Sequence, residues 1–113
     1  MQIDVRGHLK ATEAIHRHIE RRLTTALGRF RHRVREVTVR LEDINGPGKG
    51  GADKACHIAL HFDGPRRSPV RVEEVHADLY LAISQAAERL SQAVRRDVDR
   101  MRQPRARSSA MAS

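Results

Sequence analysis

Tryptophan is missing from this 113-residue chain, and other aromatic side chains are scarce, with two Phe and one Tyr. A core must therefore be assembled from Val, Ile, Leu and Ala, a composition that suits helices packed on a sheet. Cys56 is the single cysteine, which excludes an intrachain disulfide and gives no sign of an oxidising compartment. No apolar run approaches the roughly 18 residues needed to cross a bilayer, and the opening Met1-Gln2-Ile3-Asp4-Val5-Arg6 has no long apolar run. A cytoplasmic protein without a membrane partner is expected. Phosphate-cradling P-loops and dinucleotide fingerprints are also absent, so no nucleotide cofactor is expected.

What the chain has in excess is positive charge. Lys and Arg total 22 against 14 Asp and Glu, a formal net charge of +8, and most of the basic residues are arginine. Solubility would be served as well by lysine or by acidic residues. The forked, permanently charged guanidinium instead matches phosphate, so a polyanionic partner is implied. An ordinary solvated basic surface would share this composition, and the arrangement along the chain has to decide.

The hydrophobic periods divide the chain into six elements. Ile3 and Val5 alternate with Gln2, Asp4 and Arg6 as in a half-buried strand, which Gly7 ends. Thr12 offers an N-cap, and Ile15, Ile19, Leu23, Leu27 and Phe30 form one face of a helix whose other face carries His16, Arg17, Glu20, Arg21 and Arg22. From Val34 the period returns to two, with Val37, Val39 and Leu41 on one side. Residues 43–53 are crowded with Gly, Asp, Asn and Pro and read as a flexible loop. Cys56, Ile58, Leu60 and Phe62 define a third strand, and Val70 to Glu74 supply a fourth, its pairing limited by Pro69. Asp78 caps a long second helix with apolar positions Leu79, Ile83, Ala86, Ala87, Leu90, Val94, Val98 and Met101. Pro104 stops it. The expected fold is α+β: a βαβββα sandwich over residues 1–102, two helices on one face of a four-stranded mixed sheet, with residues 103–113 as a disordered basic tail.

Enzyme chemistry fits this layout poorly. His57 and His61 share a strand face but stand about 13 Å apart, too far to grip one metal ion. His16 and His18 point away from each other on a helix, and the adjacent Glu73 and Glu74 face opposite sides of a strand. Cys56 shares its parity with core residues, which makes it a small buried residue rather than a nucleophile. No metal, catalytic residue or small-molecule substrate is expected. Gly48-Lys49-Gly50-Gly51 matches the GxxG string of KH domains, but that motif needs a helix on each side and here strands flank it. Lys49 can still meet phosphate from a hairpin tip.

The second helix is the informative element. Arg89, Gln92, Arg96 and Arg100 recur at spacings of three and four, so they form a line along one face, with Arg95 beside it. A line of guanidinium groups suits a phosphate backbone, although Asp97 and Asp99 near it and Glu88 at its edge partly offset its charge. Arg17, Arg21 and Arg22 of the first helix should lie next to it, completing a basic surface. With only Tyr80 free to stack on bases, recognition by shape and phosphate is favoured over base stacking.

The chain resembles the ribosome hibernation-promoting factors and ribosome-associated translation inhibitors. The likeness runs from Met1 to about Met101 and rests on Met1-Gln2-Ile3-Asp4-Val5-Arg6-Gly7, Ala11-Thr12-Glu13-Ala14-Ile15, Val37-Thr38-Val39-Arg40-Leu41 and, most specifically, Asp78-Leu79-Tyr80-Leu81-Ala82-Ile83. It implies a βαβββα domain docked on the small ribosomal subunit at the decoding region, with basic residues of both helices on ribosomal RNA, and a monomer when free. Arg22, Arg89, Arg96 and Arg100 occupy places where that family commonly has Lys or Arg, and Gln92 stands where a basic residue is frequent. The loop 43–53 is longer than in the shortest members, and Thr24-Thr25-Ala26-Leu27-Gly28-Arg29 lacks the family's Lys-rich pattern. No pairing domain of the kind found in long members is expected after the second helix. A strand meander with flanking helices also resembles double-stranded RNA-binding domains, so a stand-alone RNA-binding module or RNA chaperone is the second expectation.

Overall fold

The structure, a computed structural model, describes residues 1–44, 52–64 and 68–102, the side chains of residues 100–102 excepted. Lys49 and the basic tail therefore lie outside the described residues, as does the side chain of Arg100. The elements are β1 (Gln2–Gly7), α1 (Glu13–Leu27), a 3-10 turn (Gly28–Arg33), β2 (Val34–Asp43), β3 (Lys54–Phe62), β4 (Val70–His76) and α2 (Leu79–Arg102).

The strands form one sheet in the order β1-β2-β3-β4. β1 runs parallel to β2 and reaches it through the α1 crossover, while β2, β3 and β4 are an antiparallel meander. The expected α+β sandwich with a mixed sheet is the fold observed. Alternation decides the faces: Val37, Val39, Leu41, Cys56, Ile58, Leu60 and Phe62 are all buried beneath the helices. The uncovered face carries Asp4, Arg6, Arg40, Glu42, His57 and Glu73.

Each helix starts where its cap places it. The Thr12 hydroxyl accepts from the Ile15 N–H at 3.3 Å, and the Asp78 carboxylate accepts from the Tyr80 N–H at 2.9 Å. Ile15, Ile19, Leu23 and Leu27 of α1 and Ala82, Ile83, Ala86, Ala87, Leu90, Val94 and Val98 of α2 are buried between helices and sheet. Burying each of the larger side chains is worth about 1.5–3 kcal/mol. Both helices run the same way, and His18 joins them, its ring 4.9 Å from that of Tyr80 and its Nε2 3.1 Å from the Ser84 hydroxyl.

Three boundaries differ from the sequence reading, the first being that Asp43, read as the start of the loop, closes β2 and pairs with Lys54. The α1 helix ends at Leu27 and does not reach Phe30, because Gly28 takes φ 53° and its N–H closes on the Thr24 carbonyl. Phe30 still packs on the core, but from the 3-10 turn. The β4 strand continues past Glu74 to His76, held by the pairs Ala55 with Val75 and Lys54 with His76.

Candidate nucleic-acid interface

The core stripes on α1 and α2 leave their arginines on the outside. Arg17, Arg21 and Arg22 of α1 and Arg89, Gln92, Arg95 and Arg96 of α2 are all exposed. What distinguishes them is charge compensation. Arg17 lies 3.2 Å from Glu13 one turn back, and Arg89 reaches across to β4, its Nη1 3.0 Å from Glu74 Oε2. Arg21, Arg22, Arg95 and Arg96 have no carboxylate within ion-pair distance among the described residues.

The α2 arginines occupy two flanks. Arg89, Gln92 and Arg96 line one recess on the β4 side, together with Arg71 and Glu73. Arg95 is not part of that line. It turns toward α1 and borders a recess with Thr25, Gly28, Arg29, Phe30 and Asp99. Arg96 also borders a further recess with Asp97, Asp99, Ser68 and Pro69, so acidic side chains stand beside it there. Arg71 escaped the sequence reading because its relevance depends on β4 lying beside α2, which no local pattern reveals.

Some basic side chains elsewhere are held in pairs. On the uncovered sheet face Arg6 meets Asp4 at 2.7 Å, Arg40 meets Glu42 at 3.9 Å and His57 meets Glu73 at 3.3 Å. A hydrogen bond with His8 holds the Glu42 carboxyl below its usual range, against a smaller opposing effect of burial. At the base of the 43–53 loop, Lys54 Nζ sits 3.1 Å from Asp53 and 3.3 Å from Asp43, and these hydrogen bonds raise its pKa. Lys54 is thus committed to closing the hairpin. Burial alone pushes the Cys56 thiol up to about 12, which leaves it protonated and unreactive at neutral pH. No group of three His, Cys, Asp or Glu among the described residues could hold a metal ion.

A family profile described as sigma 54 modulation protein / S30EA ribosomal protein matches residues 2–102. The chain belongs to that family. Its membership bears out the resemblance to hibernation factors carried by the Asp78-Leu79-Tyr80 helix start and the order of elements. Among solved structures, the N-terminal domain of Protein Y from Thermus thermophilus is 33% identical, with a TM-score of 0.66 over 85% of this chain and 98% of that one. A ribosomal subunit interface protein from Coxiella burnetii shares the fold at 15% identity and a TM-score of 0.68, over 87% of this chain and 99% of that one. The comparison with curated proteins finds no match. This S30EA family member shares its α+β fold with those structures, and no helix among the described residues is long and apolar enough to cross a membrane.

Proposed function

We propose that the protein is a ribosome hibernation factor: a cytoplasmic monomer that binds ribosomal RNA of the small subunit at the decoding region, covers the tRNA and mRNA sites, and so halts translation without catalysis. The observation that carries this reading is the uncompensated charge on the two-helix face, where Arg21, Arg22, Arg95 and Arg96 have no carboxylate partner among the described residues, in a chain of the S30EA ribosomal protein family. A bare guanidinium on a rigid helix can accept phosphate without first breaking an internal ion pair, and the charge-assisted contact is the stronger for it.

The mechanism needs no chemistry beyond occupancy. Residues on two packed helices keep fixed spacing, so several arginines meet the backbone at once with little further ordering cost. RNA so bound is unavailable to tRNA and mRNA.

Co-sedimentation with purified small subunits through sucrose at a series of salt concentrations tests the reading. About five arginine–phosphate contacts on the helical face alone contribute about −4 to the log–log slope of affinity against salt. Association that ignores salt, or free protein at the top of every gradient, contradicts it. Binding to naked double-stranded RNA as tight as to the subunit would favour the RNA-module alternative.

A further inference from the structure

The strongest basic cluster in the described structure lies outside the helical face. Within seven residues, Arg29, Arg31, His32, Arg33 and Arg35 are all exposed. They sit where α1 has ended and the chain turns into β2, at the end of the molecule to which both helices point their C-termini.

Three features build this corner. First, Phe30 is half-buried against the core and anchors the 3-10 turn, with the Arg29 guanidinium 5.8 Å from its ring centroid. In a 3-10 helix side chains three apart eclipse, so Arg29 and His32 share one edge, Arg31 takes another, and Arg33 follows Phe30 on the third, where it is exposed. Second, the Asp63 N–H donates to the Arg33 carbonyl at 2.8 Å, fastening the end of the turn to the end of β3. Third, the register slips between Val34 and Glu36, which pair with Phe62 and His61, so Arg35 is the extra residue of a β-bulge and is thrown outward.

Basic residues beyond a helix C-terminus can simply answer the helix dipole. Arg31 does some of that, its Nη1 lying 3.4 Å from the Gly28 carbonyl. The same account reaches Arg33, the last residue of the 3-10 turn, but not Arg35, which lies in a strand. None of Arg29, Arg31, Arg33 and Arg35 has a carboxylate within ion-pair distance among the described residues, and the two acids of this corner, Asp63 and Asp99, form no ion pair with them. Arg29 and Arg95 face one another across the recess between the turn and α2, which joins this cluster to the helical surface.

We propose that the anchored 3-10 turn and the bulge after it form a second phosphate-binding surface, on which Arg31, Arg33 and Arg35 grip the ribosomal RNA backbone beside the stretch held by the helices. The proposal rests on the ribosomal reading above and extends its footprint around the ends of α1 and α2. Short, mobile basic tails lose contact energy in ordering; this turn is already fixed by Phe30 and Arg33, so its arginines contribute fully.

The test compares wild type with Arg31→Gln/Arg33→Gln/Arg35→Gln in co-sedimentation with purified small subunits over a salt series, with circular dichroism to establish folding. The triple variant should keep its fold, bind on the order of a hundredfold more weakly, and show a salt slope shallower by about two. The corresponding triple lysine variant, which keeps the charge, should recover most of the slope. Should the triple glutamine variant not fold, Arg35→Gln alone decides, with an expected loss of about 0.7 to 0.9 in slope. A folded variant with wild-type affinity and slope overturns this surface while leaving the ribosomal reading intact. Wild-type protein that fails to bind the subunit at any salt overturns both.

Discussion

Glu74 is the residue on which the electrostatics of the α2 face turn. Its carboxylate holds Arg89 at 3.0 Å, whereas Arg96, two turns further along, has no such partner among the described residues. Spacing alone made Arg89 and Arg96 equivalent. They are not, because β4 lies against the α2 flank and brings a carboxylate that sequence distance conceals. Replacing Glu74 with Gln should free Arg89 and tighten small-subunit binding several-fold, while Arg96→Ala should weaken it by about 1–2 kcal/mol, five- to thirtyfold. Equilibrium binding to purified subunits reads both; an unchanged or weaker affinity for the Glu74 variant would show that Arg89 does not meet phosphate. Cys56 offers a test of the core itself. With the thiol pushed up to about 12 by burial, its thiolate fraction at pH 8 is roughly a thousandth of that of an exposed cysteine. Reaction with a thiol reagent should be slower by about that factor in the native protein and become fast only on unfolding.

Among the elements, those defined by clean periods were legible. Alternation gave β2 and β3 and their inner faces, and the caps Thr12 and Asp78 placed both helix starts. The end of α1 was not, since Phe30 falls three residues after Leu27 and continues the apolar stripe although Gly28 has already broken the helix. Nor was the bulge at Arg35, because one inserted residue next to a strand end leaves the alternation that follows intact. The basic corner depends on both features, which is why the turn and bulge arginines drew no attention beside the regular line on α2. A further constraint is the parallel pairing of β1 with β2. Gly7 ends β1 at φ 113°, where a Cβ would lie 2.1 Å from the Leu41 carbonyl oxygen. Gly7→Ala combines a disfavoured backbone conformation with a clash against β2, so it should cost at least about 2 kcal/mol and lower the melting temperature by about 10 °C or more. A melting curve unmoved by this substitution would mean that β1 does not pair as described.

The whole molecule separates its charge by location. On the uncovered sheet face Arg6 and Arg40 are held by Asp4 and Glu42, the arginines of α1 and α2 are only partly compensated by Glu13 and Glu74, and the corner after α1 is without ion pairs among the described residues. The net charge of +8 suits a polyanionic partner, and the fold adds where, among the described residues, that charge is left without ion pairs. Those arginines are displayed on packed helices and an anchored turn, which fits the proposed action by occupying a site. Stoichiometry tests that most directly. In a purified translation system, inhibition should reach completion near one protein per ribosome and be reversed by washing the ribosomes in high salt. Complete inhibition at a small fraction of one protein per ribosome, or inhibition that survives the wash, would contradict occupancy and point to a catalytic act.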